Sequence, residues 1–261
     1  SNRPAYDNII QGISGLMSLT GSNHKEPIKS GVPISDLSTG MFAVIGILTA
    51  LRNKEATGKG EKIDISMLDC QASLLNYIAT MHLISGKDPE PIGNEHPVHT
   101  PFNSYKTADG FIILSVVHED FWPNLVQALD LKDLDIEKYE SATGRSKDRA
   151  KIDSTLEEIF ITNTTEHWLK ILNEHRVPCG PVNKLSKVFN DPDLIKRDMI
   201  AQVKQPSGAI VKMPGNPIKI GDAKTEYKNS PELGEHSLEI LNNWLGMTEE
   251  QIAELKEDNI I

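Results

Sequence analysis

The chain has 261 residues, 38% of them hydrophobic and 25% charged, which suits one large or two modest globular domains and excludes a disordered chain. Thirty-seven acidic residues against 27 basic ones give a net charge of −10, and the basic residues form no cluster, which argues against a nucleic-acid or anionic-membrane partner. Two cysteines far apart in the chain, Cys70 and Cys179, make neither a disulfide framework nor a metal site, so a reducing, cytoplasmic setting is expected.

No apolar run is expected to reach membrane-spanning length, and no signal peptide opens the chain. The first predicted element is a short helix over 7–17, followed by a polar loop that leads to Asp36. A second helix is expected over about 39–54, with Ser38 and Thr39 as cap candidates, a largely apolar and buried body, and a stop at Thr57-Gly-Lys-Gly60. Residues 61–66 alternate charge and Ile, the mark of a half-buried strand, and 67–84 return to helical spacing. Helix, glycine turn, strand and helix suggest an α/β layer. Residues 87–101, rich in Pro, Gly, Asn and His, mark a domain boundary.

Beyond the boundary, 102–107 and 111–117 predict a β-hairpin turning at Ala108-Asp-Gly110. Helices follow over 119–129, 147–161 and 165–175, completing a small α+β domain that Val177-Pro-Cys-Gly-Pro-Val182 closes. Residues 184–196 read as a surface connection. Strands are expected over 199–203 and 209–213 around Pro206-Ser-Gly208, then helices over 235–245 and 248–256, the last with Thr248 and Gln251 at capping-box spacing.

Asp36 is the residue to explain, because it stands at the mouth of the apolar second helix. Unpaired backbone N–H groups and the positive end of the helix dipole favour an ionised carboxylate there. In a dry crevice such a carboxylate is a nucleophile toward an activated acyl group; taken alone, the motif is more often an Asp ending a loop beside a helix cap. His24 and His99 have no carboxylate or metal partner at short spacing, which favours surface roles, and no metal site is expected. Cys179, in a Pro-Cys-Gly-Pro turn without a paired His, is a poor candidate nucleophile.

Several motifs agree on one family. Arg3-Pro-Ala-Tyr-Asp-Asn-Ile-Ile-Gln-Gly-Ile-Ser-Gly-Leu-Met17, Asp36-Leu-Ser-Thr-Gly40, Thr57-Gly-Lys-Gly-Glu-Lys-Ile-Asp-Ile-Ser-Met67, Gly93-Asn-Glu-His-Pro97 with Tyr105-Lys-Thr-Ala-Asp-Gly110, Val177-Pro-Cys-Gly-Pro-Val182 and Leu233-Gly-Glu-His236 stand in order along the chain. Together they resemble the class III CoA-transferases, the CaiB/BaiF family, from end to end. The resemblance implies part of a Rossmann-like large domain plus a small α+β domain: 1–95 large domain, 96–190 small domain, 191–261 return to the large domain. Family members carry a further Rossmann-like segment before the point matching the start of this chain, so a missing N-terminal segment or subunit is expected to supply much of the CoA-binding surface.

By the same resemblance Asp36 is the catalytic aspartate. It would carry CoA from an acyl-CoA donor, with succinyl-CoA a reasonable one, to a small carboxylic acid through an aspartyl mixed anhydride and an aspartyl-CoA thioester. Gly93, Asn94 and His96 are candidates for a glycine loop that excludes water, or equally for a flexible linker. Tyr6, Asp7 and Gln11 are candidates for lining the substrate site, or for capping and surface roles. Backbone N–H groups of Gly40 and Met41 are candidate oxyanion donors at the helix start. Coenzyme A thioester is expected as substrate with no tightly bound cofactor, and a homodimer is implied. Two alternatives remain: an α-methylacyl-CoA racemase-type enzyme, which needs an acid and a base flanking the carbon beside the thioester, and a non-catalytic or partial subunit.

Overall fold

The structure, a computed structural model, describes residues 4–22, 26–132, 134, 137–223, 225–258 and 260–261. The chain divides into two compact units, 1–182 and 183–261. The first opens with five helices: α1 (Asp7–Ile13), α2 (Leu16–Leu19), α3 (Ile34–Thr57), α4 (Met67–Leu74) and α5 (Asn76–Ser85). The single helix expected over 7–17 is split at Gly15, whose φ of 88° is a left-handed conformation that glycine adopts without strain. The helix expected over 67–84 is likewise split, at Asn76 with φ 49°.

Helix α3 begins five residues earlier than expected. Pro33 stands at its N-cap and gives no side-chain cap. Ser38 and Thr39 are inside the helix, where their hydroxyls donate to the Ser35 carbonyl at 3.2 and 2.6 Å. Its end is as the sequence suggests, since Gly58, with φ 73°, donates its N–H to the Lys54 carbonyl. Residues 61–66 form no strand, because an alternating segment needs a partner ladder and none pairs with it among the described residues. The segment instead passes α3 at Gly46, where an added Cβ would meet Ile63 and Ile65 at 3.4 and 3.5 Å.

Burial of α3 also departs from expectation. Only Ser35 and Ser38 are buried in it, while Met41, Val44, Ile45 and Leu48 stay more than half exposed. By length and composition α3 is apolar enough to cross a membrane, with an 18-residue stretch of mean hydropathy 1.7. That corrects the expectation that no run is long enough; Asp36 is the one acidic or basic side chain between Ile34 and Leu51.

The rest of the first unit is a small α+β domain. Strands β1 (Phe102–Lys106) and β2 (Phe111–Ser115) form the expected hairpin, pairing Phe102 with Ser115 and Lys106 with Phe111. A third strand, β3 (Cys179–Pro181), adds to β2. Between them run α6 (Phe121–Leu129), α7 (Ala142–Lys147), α8 (Arg149–Phe160) and α9 (Thr165–Glu174). The helix expected over 147–161 is α8, and the short α7 ahead of it, with Asp148 as its C-cap, is not among the expected elements. Tyr105, Ile112 and Leu114 on the inner sheet face pack with Trp122, Leu125, Ile152, Leu156, Phe160 and Leu172 in one dry core. The Trp168 indole donates to the Phe160 carbonyl at 2.8 Å, so its polar edge is satisfied there.

The second unit holds α10 (Leu185–Val188) and α11 (Pro192–Lys196), then a hairpin of β4 (Ile200–Lys204) and β5 (Ile210–Pro214) that turns at Gly208. The helix expected over 235–245 is a short α12 (Ser237–Glu239) running into a π-helical turn, Ile240–Trp244. Last comes α13 (Glu249–Glu257), with the capping box of Thr248 and Gln251 fully formed.

Candidate active site

Asp7 and Gln11 lie one turn apart on α1 and share a hydrogen bond, Gln11 Nε2 donating to Asp7 Oδ2 at 2.7 Å. The other oxygen of Asp7 accepts the Ser35 N–H at 2.9 Å. It thereby takes up one of the backbone donors that the start of α3 leaves orphaned, so a carboxylate from another helix does the capping that Pro33 cannot. Gln11 Oε1 accepts the Ser30 N–H at 2.8 Å, pinning the loop that enters α3. The Ser35 hydroxyl donates to Gln71 Oε1 on α4 at 2.9 Å. Gln11, Ser35 and Gln71 are all buried. Leaving one such group unpaired costs about 1–3 kcal/mol, so the network fixes where α3 starts.

Asp36 follows Ser35 directly and is the third residue of α3, exposed to solvent. A carboxylate in the first turn is favoured by the helix dipole by about 0.3–1 kcal/mol. One turn on, Gly40 leaves the surface beside it open, since an added Cβ there would meet nothing within 4 Å. Gly40 and Met41 are not at the helix start. They occupy the second turn of a helix that begins at Ile34, where N–H groups are used in the i to i−4 ladder, so the expected oxyanion donors are not free there. Tyr6 is the N-cap residue of α1 and is 76% exposed, with no side-chain cap bond.

Gly93, Asn94 and His96 share one loop. Gly93, with φ 67°, donates its N–H to the Gly21 carbonyl at 2.7 Å, and its Cα side faces Ser22 so closely that a Cβ would sit 3.4 Å from it. Asn94 Nδ2 donates to Ser104 Oγ of β1 at 2.7 Å. His96 Nδ1 accepts the N–H groups of Val98 and His99 at 3.1 and 3.2 Å, which puts the proton of the neutral ring on Nε2, facing the Tyr77 hydroxyl. Partial burial, then the neighbouring His99 and Arg149, hold the His96 ring below the ordinary histidine range. Asn94, Phe102, Asn103, Ser104, Phe111 and Ile113 line a groove of about 620 Å³ on the outer sheet face.

No local signal marks Ser30, Ser35, Gln71 or Arg149 as parts of this arrangement, because each acts through a partner distant in the chain. His99 packs its ring 4.6 Å from that of His96. His24 lies outside the described residues. Burial pushes the Cys179 thiol up, which opposes a thiolate nucleophile. Both cysteines are free, and among the described residues no group of three or more His, Cys, Asp or Glu is placed to hold a metal ion.

A family model described as CoA-transferase family III matches residues 1–237. The chain is 31% identical over 263 residues to the succinyl-CoA:glutarate CoA-transferase of Homo sapiens, an alignment covering 100% of this chain and 60% of that protein. It is 33% identical over 243 residues to the succinate–glutarate CoA-transferase of Agrobacterium fabrum, covering 90% of this chain and 60% of that protein. A crystal structure of a CAIB/BAIF family protein from Brucella suis superposes with a TM-score of 0.77 at 34% identity, over 92% of this chain and 63% of that one. This chain thus spans about three fifths of the length of the curated relatives it matches. The mixed helix-and-sheet architecture is that of the class III CoA-transferase fold. On the match of the family model over most of its length and on these relatives, the chain belongs to CoA-transferase family III.

Proposed function

We propose that this chain carries the nucleophile of a CoA-transferase, Asp36, and moves CoA from an acyl-CoA donor to a small carboxylic acid. The observation that carries this reading is an exposed carboxylate in the first turn of α3, next to Ser35, which a network of amide, hydroxyl and carboxylate groups fixes in place, in a chain of this family. The names of the relatives support succinyl-CoA as donor and a dicarboxylate such as glutarate as acceptor.

In the proposed cycle an Asp36 oxygen adds to the thioester carbonyl, the C–S bond breaks, and an aspartyl mixed anhydride and CoA thiolate result. The thiolate adds to the Asp36 carbonyl, and the donor acid leaves as its carboxylate, giving an aspartyl-CoA thioester. The acceptor carboxylate adds to that thioester carbonyl and expels the thiolate, forming a second anhydride. Thiolate then takes the acceptor acyl group and returns Asp36 as a carboxylate. Every step exchanges one activated acyl bond for another, which a serine ester would interrupt because an alkoxide is a poor leaving group. The positive end of α3 supports the charge that develops on each tetrahedral oxygen. Asp7 and Gln11 act by fixing the start of α3. Gly93, Asn94 and His96 shield the anhydride from water.

We infer the same large and small domain division for the whole protein, 1–95 with 191–261 and 96–190. A homodimer is the proposed cover for the exposed face of α3, whose half-exposed apolar side chains each forgo roughly 1 kcal/mol of burial. Two free cysteines support a reducing, cytoplasmic setting.

The test is intact-mass spectrometry with succinyl-CoA and other acyl-CoAs, trapping with hydroxylamine, with and without a segment supplying the part of the relatives' length that this chain does not span. A covalent adduct and a hydroxamate at Asp36 are expected, with at least a roughly 1000-fold loss in the Asp36→Ala variant. An adduct that survives Asp36→Ala, or none with the complete protein, ends the nucleophile assignment.

A further inference from the structure

Arg149, the first residue of α8, is used neither by the core nor by the proposed chemistry. Its side chain is mostly buried, 19% exposed. Nη2 donates to the His96 carbonyl at 2.7 Å and the His99 carbonyl at 3.3 Å. Nη1 is buried, makes no hydrogen bond among the described residues, and is held by the Glu95 carboxylate at 3.3 Å. One guanidinium therefore contacts three residues of a five-residue loop, plugging the turn that His96 closes from within through its Nδ1.

Position makes this placement unusual. A cation in the first turn of a helix opposes the helix dipole, so Arg149 is disfavoured by its own helix and must be compensated by what it holds. Part of that compensation comes from Asp153, one turn along α8. Asp153 Oδ1 accepts the Tyr105 hydroxyl at 2.5 Å, and the Arg149 charge acts on the carboxyl, which burial nonetheless leaves above its ordinary range. Tyr105 belongs to β1 next to Ser104, the partner of Asn94. Neighbouring α7 adds two more ties to the same stretch, Ser146 Oγ donating to the Val98 carbonyl at 2.6 Å and Arg145 Nε to the Thr100 carbonyl at 2.8 Å. Strand and helices thus grip residues 94–100 from both sides, and Arg149 is the member that touches the loop at its centre.

We propose that Arg149 is a positioning residue: by bridging Glu95 and the carbonyls of His96 and His99 it holds the loop that presents Asn94 and His96 to the acyl group, and so divides the activated acyl between acceptor acid and water. The planar fork matters because two carbonyls and a carboxylate lie at its edges at once, a geometry that an ammonium group cannot reproduce. This inference rests on the reading of the loop as the shield of the Asp36 anhydride.

The test uses the complete enzyme and its Arg149→Gln and Arg149→Lys variants. Hydrogen exchange at Val98 and His99 should speed up about tenfold in Arg149→Gln, with β1 and β2 unchanged, as expected for a local opening. The Asp36 adduct should still form, while its hydrolysis relative to capture by the acceptor acid rises about tenfold and KM for the acceptor rises more than kcat falls. Arg149→Lys, which keeps the pair with Glu95 and one carbonyl, should recover part of both effects. Unchanged exchange at Val98 and His99, faster exchange across the whole small domain, or an unchanged partition between acceptor and water each overturns the proposal. A parent enzyme that forms no Asp36 adduct overturns it too, and is told apart because the functional reading then fails in the parent before any variant is compared.

Discussion

The small domain at 102–182 and the helical region at 4–100 are held together by different means. In the small domain a closed set of apolar side chains, from Tyr105 and Leu114 on the sheet to Trp122, Leu156 and Leu172 on the helices, is removed from water. Its one deeply buried cation, Arg145, is fully engaged by the carbonyls of Thr100, Tyr139 and Glu140 and by the Glu119 carboxylate. In the helical region the buried apolar side chains among the described residues are Ile10 and Cys70, and the elements meet through Gln11, Ser35 and Gln71 instead. Hydrogen bonds contribute little net stability each but are costly to leave unmade, so this region specifies one position for Asp36 more than it adds stability. The proposed site lies where geometry is fixed by directional bonds, and the stabilising bulk is in the small domain.

The largest expected effect comes from cutting into the two regions with the same substitution. Leu114→Ala, at a side chain with no exposure, should cost about 2–5 kcal/mol in urea unfolding. Leu48→Ala, at a side chain 61% exposed on α3, should stay within about 0.5 kcal/mol at protein concentrations too low for self-association. Equal losses at both positions would mean that α3 is buried in solution and that the contrast is wrong. A Leu48→Ala cost that grows with protein concentration would instead sharpen it, by showing that the face is covered by a second copy.

The same contrast explains what could be read from the residues alone. The hairpin was legible because Tyr105, Ile112 and Leu114 alternate inward on either side of an Asp-Gly turn, and α13 because both halves of its capping box lie within four residues. Local signals failed where the deciding partner is far away. Helix α3 starts at Ile34 because Asp7, 28 residues earlier, accepts the Ser35 N–H, and no inspection of Ser38 or Thr39 reveals that. The strand expected over 61–66 failed for the converse reason, an alternating pattern without a paired edge. The residues alone single out Asp36 at a helix start, and the motif singles out Asp7 and Gln11 as candidates to line a site. Their contact through Ser35, and the grip of Arg149 on the loop, depend on side chains whose partners only the fold brings near.

A middle-sized effect should follow from Gln11→Leu. The substitution keeps the volume roughly but removes the donor to Asp7 and the acceptor for the Ser30 N–H, leaving buried or half-buried partners unpaired. The expected cost is about 1–3 kcal/mol in urea unfolding, with a drop in the rate of Asp36 adduct formation larger than the stability loss would predict. Unchanged adduct formation would show that the start of α3 keeps its place without the lattice, and would shift the burden of positioning to Asp7 alone. Gln11→Glu, which keeps the acceptor for Ser30 but sets a carboxylate against Asp7, should fall on the same side as Gln11→Leu and not recover the parent rate.

The smallest expected effect is a pH dependence confined to the loop. The folded loop holds the His96 ring in its neutral form, because partial burial, His99 and Arg149 all disfavour a charge there, and because Nδ1 is accepting two N–H bonds. When the loop opens, the ring returns to the ordinary value near 6.5. Above that value neither form takes up a proton and the loop is at its full strength. As pH falls below it the open form gains the proton first, so closure weakens progressively until the lowered value of the folded ring is reached. Protection of the Val98 and His99 amides, corrected for the intrinsic pH dependence of exchange, should therefore decline from pH 7 to pH 5 by up to about tenfold per unit, while Ile112 and Leu114 in the sheet hold steady. The groups that act on this ring are His99 and Arg149, so His96→Asn separates their effect from its own: a side-chain carbonyl can still accept the two N–H groups but does not titrate. Protection in that variant should be flat across the same range, and a decline that persists there would show that the His96 ring is not its source.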